Sequence, residues 1–230
     1  MKKLDILYNL YINKLYIMKL FGGQYDEWRV SRFAGILKYV NIDLLFDKTL
    51  LELGCGYGDN GKLFKNIGCD VTASDANEQH IKSASVKNPE LKYEIFNCNK
   101  DLLTKKYDII LHWAVVNHLD NLEQHLNNVC ANCDYLFLES EICDASISYV
   151  IKTNESEYDQ AFDIVGSRPS QKYIENILTK NNFNFVMIKD SILNAGYHIY
   201  DWEIRNSLTC HNGMRRYWIC WNKNVSSPLK

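Results

Sequence analysis

The sequence predicts an α/β domain, an open and mainly parallel sheet with helices on both faces. Three observations carry that reading. The stretch Leu50-Leu-Glu-Leu-Gly-Cys-Gly-Tyr-Gly-Asp-Asn-Gly61 runs from an apolar strand through a glycine-rich turn into a helix. Val71-Thr-Ala-Ser-Asp75 is a second strand, ending in a carboxylate about 20 residues further on. Beyond it, strand and helix patterns alternate, the rhythm of parallel strands joined by crossover helices.

Within the first stretch, Glu52 precedes Gly54, Gly56 and Gly58 in the pattern E-x-G-x-G-x-G. A dinucleotide turn is spaced G-x-G-x-x-G, so the third glycine arrives one residue early. The three glycines divide the work of turning tightly, letting backbone approach a ligand and packing helix on strand. A carboxylate ending the second strand suits a ribose diol. Glu52, the turn, the helix and Asp75 together resemble the class I S-adenosylmethionine (SAM)-dependent methyltransferase family, over residues 25–140. The resemblance implies a Rossmann-like seven-stranded sheet in the order 3-2-1-4-5-7-6, its last strand antiparallel, and SAM as cofactor.

Leu4, Leu7, Tyr8, Tyr11, Leu15 and Met18 recur at helical spacing, so residues 1–20 predict an amphipathic helix packed on its own domain. Phe21-Gly-Gly-Gln24 ends it. A second helix over 26–40 carries Trp28, Phe33, Ile36, Leu37 and Val40 on one side, with Arg29 and Arg32 on neighbouring ridges. These helices form an N-terminal cap, residues 1–45, before a methyltransferase-like domain over 46–230. That domain opens with strand one at 49–53, a helix over 59–67, strand two at 70–74 and a helix over 76–87 stopped by Asn88-Pro89. Strand three at 93–96, strand four at 107–112, a helix over 122–129 and strand five at 134–138 follow. Residues 139–169 have no clear period and close on the turn Gly166-Ser-Arg-Pro169. Residues 190–215 are a second long connection, and insertions of this length tend to be functional. Between the two lie a helix over 170–182, N-capped by Ser170, and strand six at 184–189. The aromatic, β-prone Arg216-Tyr-Trp-Ile-Cys-Trp221 is the last strand.

Apolar residues make up 47% of the 230 and charged residues 23%, a composition of neither disordered nor membrane chains. The formal net charge of −2 supplies no field to draw a polyanion, which disfavours nucleic acid as a partner. Arg215, Arg216, Arg205 and Lys223 form a late basic cluster, read as a solvated strand end. No apolar run reaches the ~18 residues of a membrane span, and polar residues interrupt any leader. Eight cysteines without an export signal read as reduced thiols, which predicts a cytoplasmic protein. Cys130-Ala-Asn-Cys133 has metal or redox spacing but no second pair to complete a site.

Ligands of open α/β sheets bind at the carboxyl ends of the strands. The resemblance therefore implies cofactor contacts from Glu52, Gly54, Cys55, Gly56 and Gly58, from Asp75 and Ala76, from Asn97, Cys98 and Asn99, and from His112 and Trp113. Family members often carry an acid after strand three to meet the adenine amine; here Asn97, Cys98 and Asn99 stand in that place and Asp101 comes late. Glu27-Trp-Arg-Val-Ser-Arg32 resembles the family's arginine-bearing helix, and Arg29 and Arg32 are equal candidates for the cofactor carboxylate, which a planar guanidinium fits.

Methyl transfer to a hydroxyl also needs a base. His118, in Val116-Asn-His-Leu119, is the first candidate, against a capping or packing role; His198 and Asp201 are the second. The expected activity is methylation of a small hydroxylated acceptor, a sugar or metabolite. The alternatives are a non-catalytic module binding SAM or a partner protein, and methylation of RNA or protein, which the lack of a basic face disfavours. Glu139, Glu141 and Asp144 offer oxygen ligands for magnesium, in a run that also reads as a solvated loop, and no metal is assigned.

Overall fold

The computed structural model describes residues 24–155, 162–211 and 213–230. The expected helix over 1–20 lies outside them, so of the N-terminal cap only α1 (Gln24–Tyr39) and the short 3-10 turn Ile42–Leu44 are described. The elements that follow are β1 (Thr49–Leu53), α2 (Asp59–Asn66), β2 (Asp70–Asp75), α3 (Glu78–Lys87), β3 (Lys92–Ile95), β4 (Tyr107–Trp113), α4 (Leu122–Ala131) and β5 (Cys133–Glu141). The chain continues through β6 (Val150–Asn154), β7 (Val165–Pro169), α5 (Gln171–Lys180), β8 (Phe183–Met187) and β9 (Arg215–Asn222).

Seven strands form one sheet in the order β3-β2-β1-β4-β5-β9-β8. Since β8 and β9 are its sixth and seventh strands, this is the order the resemblance implied. The first five run parallel, and β9 lies antiparallel between β5 and β8. Strand periodicity splits the core in two. Leu51, Ile110, Leu136 and Trp218 face one layer with α4 and α5, while Leu50, Ile109, Phe137 and Ile219 face the other with α1 and α2.

Residues 139–169 differ from the aperiodic stretch expected. They hold a two-stranded antiparallel ribbon in which β6 pairs with β7 from Val150↔Pro169 to Asn154↔Val165. The ribbon has little apolar alternation because most of β6 is only half-buried; backbone pairing and polar anchors hold it instead. One anchor is Ser167, fully buried, whose hydroxyl donates to the Leu119 carbonyl at 2.6 Å. The predicted N-cap is present: Ser170 accepts from the Tyr173 N–H. Arg215 and Arg216, expected at a solvated strand end, are buried. Arg216 donates to the Asp201 and Trp202 carbonyls and to Gln171, and so ties the 190–215 connection to the sheet.

Two buried histidines meet beneath this framework, His112 on β4 and His125 on α4, with their Nε2 atoms 2.8 Å apart. Burial lowers both, His125 to about 4. Their contribution to stability is present above the ordinary pKa near 6.5 and is lost as pH falls toward 4, on the order of 3 kcal/mol for His125. Glu52 works the other way, since burial pushes it up to about 7 and its contribution is present below its ordinary pKa and lost as pH rises through 7. Unfolding free energy measured by urea titration should therefore fall from pH 6.5 to 4. Glu52→Gln should steepen that fall between pH 7 and 4.5; an unchanged slope would show that Glu52 is ionised throughout.

Candidate active site

The end of β1 turns on three glycines that do different things. Gly54 has φ +64°, and a Cβ there would stand 2.5 Å from Cγ2 of Val115, so this position serves close packing of the β1 and β4 loops. Gly56 has φ +52° and nothing within 4 Å of where its Cβ would be. Its backbone faces open space. Asp75 ends β2 beside it and accepts hydrogen bonds from the Gly56 N–H and the Asn77 N–H, both at 2.9 Å. The tight helix-on-strand contact falls to Gly61, whose missing Cβ makes room for a Glu52 carboxylate oxygen 2.7 Å from its ideal position.

The open space is a cavity of about 390 Å³ at the carboxyl edge of the sheet. Of the residues singled out in the sequence it brings together Arg29, Arg32, Gly54, Cys55, Gly56, Asp75, Ala76, Asn97, Cys98, Asn99, Trp113 and His118. Tyr57, Asn77, His80, Phe96, Ala114, Val115, Leu119, Phe162 and Asp163 complete its lining along with Asn60. Ala114 stands at φ +57°, a strained conformation for a residue with a side chain and one that recurs at functional sites.

Five of the expected residues lie outside the lining. Glu52 turns away to fasten β1 to α2, accepting from Asn60 Nδ2 at 3.0 Å and the Gly61 N–H at 2.8 Å. Gly58 is the N-cap of α2 in the left-handed region. His112 points to the opposite face of the sheet from Trp113, as alternation along β4 requires. His198 stacks on the Trp28 ring, centroids 3.9 Å apart; burial first, and then the charges of Arg215 and Arg32, lower it to about 4. Asp201 is held by Arg205 at 2.7 Å. Trp113, considered for stacking on adenine, is 5% exposed and packs among Phe64, Tyr217 and the Arg32 guanidinium.

The two candidate arginines are in unlike settings. Arg29 pairs with Asp26 and lies 3.7 Å from Asp59. Arg32 is 1% exposed, its guanidinium 3.7 Å from the Trp28 ring centroid, with Nη1 3.5 Å from Glu139 Oε2. Nε and Nη1 of this buried group have no hydrogen-bond partner, and the group borders the cavity.

From Arg32 a file of buried and half-buried charges crosses the sheet edge. Arg215 contacts Glu139 at 2.9 Å and Glu141 at 2.7 Å; Arg168 contacts Glu141 at 2.6 Å and Glu155 at 2.8 Å. Glu155 hydrogen-bonds Nδ1 of His118, and burial, which pushes this carboxyl up, is outweighed by His118 and Arg168, which hold it below the usual range. Asn117 Nδ2 meets the other ring nitrogen, Nε2, at 3.0 Å. Glu139 and Glu141 are thus engaged by arginines, and Asp144 accepts four hydrogen bonds from residues 205–207. These engagements occupy the carboxylates considered for magnesium. Among the described residues no cluster has the make-up of a metal site.

Sequence reading missed Glu155, Arg168 and Asp163, which the ribbon carries in from far along the chain. Asp163 accepts from Asn97 at 3.2 Å, Asn99 at 3.0 Å and Lys100 at 2.6 Å. An acid therefore does stand beside the residues that follow β3, supplied by the ribbon. Asp101 is spent capping the Asn97 N–H at 2.7 Å.

A glycine turn facing a cavity, a carboxylate ending β2 and a switch in strand order at β1 define a nucleoside-binding α/β enzyme. Residues 25–188 match the family model described as a methyltransferase domain. The chain belongs to that family and is a SAM-dependent methyltransferase of class I fold. It is 22% identical to the ubiquinone biosynthesis O-methyltransferase of Rickettsia typhi, covering 94% of this chain and 95% of that protein. The protein of the same name in Pelagibacter ubique is 23% identical over 68% of this chain and 69% of its own length. Among solved structures, the N-terminal domain of EvdMO1, crystallised with S-adenosylhomocysteine and D-fucose, aligns with a TM-score of 0.64 at 11% identity, over 85% of this chain and 82% of that one. A SAM-dependent methyltransferase from Clostridium acetobutylicum aligns at 0.57 and 13% identity, over 94% and 99%. These last two are likenesses of fold. No helix among the described residues is long and apolar enough to cross a membrane.

The turn's dependence on Gly54 can be measured. Gly54→Ala combines a positive φ with a collision against Val115 and should cost roughly 2–4 kcal/mol in a denaturant titration. Val115→Ala in the same chain should recover the collision part and leave the backbone part; strict additivity of the two changes would mean that the side chains do not meet.

Proposed function

We propose that this methyltransferase acts on oxygen, using a small hydroxylated acceptor, with His118 as the base. The observation that carries the reading is the position of the His118 ring on the wall of the cavity that also exposes Gly56, Asp75 and Arg32. The curated relatives support oxygen as the target, being named O-methyltransferases. The −2 net charge supports a small molecule over nucleic acid.

The cavity residues fit the cofactor. Gly56 presents bare backbone to open space, Asp75 offers a carboxylate to a diol, and the Arg32 guanidinium has buried N–H groups without hydrogen-bond partners. In this reading Asp75 holds the ribose hydroxyls, Arg32 takes the cofactor carboxylate in preference to the already paired Arg29, and the 97–99 segment with Asp163 borders the adenine. When bound, SAM supplies a methyl on a positively charged sulfur, whose carbon–sulfur electron pair returns to sulfur as the new bond forms. The acceptor hydroxyl gives its proton to Nε2 of His118, and the oxygen lone pair makes the bond to carbon. Alignment of the reactants provides most of the acceleration, and the base adds ~10² to 10⁴-fold.

SAM and S-adenosylhomocysteine should raise the melting temperature of the protein and NAD should not; stabilisation by NAD alone would refute the cofactor site. Asp75→Ala and Arg32→Lys should each weaken S-adenosylhomocysteine binding by ~10-fold or more in calorimetry, with far-UV circular dichroism preserved. Affinity unchanged in the Asp75 variant would move the ribose elsewhere.

His118→Ala should lower kcat for a hydroxylated acceptor by ~10² or more, with the affinity for S-adenosylhomocysteine near wild type. A full rate in this variant would remove His118 from the mechanism.

A further inference from the structure

We infer that Glu155, carried on the β6–β7 ribbon, is the positioning residue of His118 and fixes which of its ring nitrogens bears the proton. The inference rests on the reading of His118 as base. Glu155 is 3% exposed; one carboxylate oxygen hydrogen-bonds Nδ1 of His118, and the other forms an ion pair with Nη1 of Arg168 at 2.8 Å. An ionised carboxylate only accepts, so Nδ1 must carry the hydrogen. On the opposite side of the ring the Asn117 side-chain amide meets Nε2 at 3.0 Å. The Glu155 contact selects the tautomer with its base nitrogen at Nε2, and an acceptor hydroxyl takes the place of the Asn117 amide.

The surroundings are built to keep Glu155 where it is. Gly166, which pairs with Thr153 and lies diagonal to Glu155 across the ribbon, has no room for a side chain, since a Cβ would lie 2.4 Å from Glu155 Oε1 and 2.7 Å from the Asn117 carbonyl oxygen. The Glu155 N–H donates to the Ile164 carbonyl at 2.7 Å, extending the ribbon by one more pair. Arg168 donates to the Asn117 carbonyl at 2.7 Å as well as pairing with Glu155 and Glu141. The ribbon therefore grips the 116–118 turn from two sides, and the carboxylate cannot swing away without breaking the Arg168 contacts.

Glu155→Gln tests this directly. The amide has one oxygen, and the permanently charged Arg168, ion-paired to Glu155 at 2.8 Å, keeps it. The NH2 group then faces Nδ1, and the ring must switch to the Nε2–H tautomer. Long-range proton–nitrogen spectra of ¹⁵N-histidine-labelled protein should show His118 as Nδ1–H in the wild type and Nε2–H in the variant. The variant's kcat should drop by ~10² or more while acceptor KM and S-adenosylhomocysteine affinity stay within about 2-fold, a split that loss of folding would not produce. Glu155→Asp, which keeps two acceptor oxygens, should retain Nδ1–H and turn over faster than the amide variant. An unswitched tautomer in Glu155→Gln would overturn the inference. A switched tautomer with an undiminished rate would instead refute the base reading on which it rests.

Discussion

A file of alternating buried and half-buried charges fixes the carboxyl edge of this sheet. Glu139 lies between Arg32 and Arg215, Glu141 between Arg215 and Arg168, and Glu155 between Arg168 and His118. Each carboxylate is shared, so removing one member strands its neighbours in a medium where an unpaired charge costs about 3–5 kcal/mol. The residues come from α1, β5, β9, β7, the residue after β6 and the turn before α4. Those six pieces of chain are positioned by one electrostatic arrangement, and none can shift by an ångström without uncovering a charge.

The file also explains how the cavity is furnished. Its two ends, Arg32 and His118, border the cavity, while the members between them do not. Trp28 backs the Arg32 end, taking that guanidinium at 3.7 Å, the Arg215 guanidinium at 4.7 Å and the His198 ring at 3.9 Å. A neutral His198 is what this setting demands, because a third cation on the same indole would meet two others at close range. The proposed acceptor and cofactor ends of the site are thereby joined through ion pairs whose charges cancel.

What the sequence made legible is the part of the site built locally. The glycine turn and Asp75 one strand along follow from motif spacing and periodicity within a short window, and the order of the sheet from the resemblance that motif carries. Glu52 was recognisable as part of the motif, yet its task of fastening α2 is visible only once Gly61 is seen against it. Trp113 and His112 are adjacent in sequence, and the strand sends them to opposite faces, one to the cavity wall and one to His125. Arg29 and Arg32, on neighbouring ridges of one helix, were equal candidates. Their difference arises from what faces them, Asp26 and Asp59 for one and two indole rings for the other.

The proposed acceptor side was opaque for a physical reason. Residues 139–169 lack the apolar alternation of a strand because the ribbon they form buries carboxylate and guanidinium pairs where a strand of the main sheet buries aliphatic side chains. Charged residues in a half-exposed stretch read as a solvated loop, and only pairing with charges elsewhere in the chain distinguishes the two. A ribbon suits the task better than a loop, since its backbone pairing sets Glu155 opposite Ile164 and so brings Gly166 and Arg168, further along β7, against its carboxylate. A proton-accepting nitrogen must be held within a fraction of an ångström to be useful. The insertion that looked least structured in the sequence therefore supplies the carboxylate that holds the proposed base.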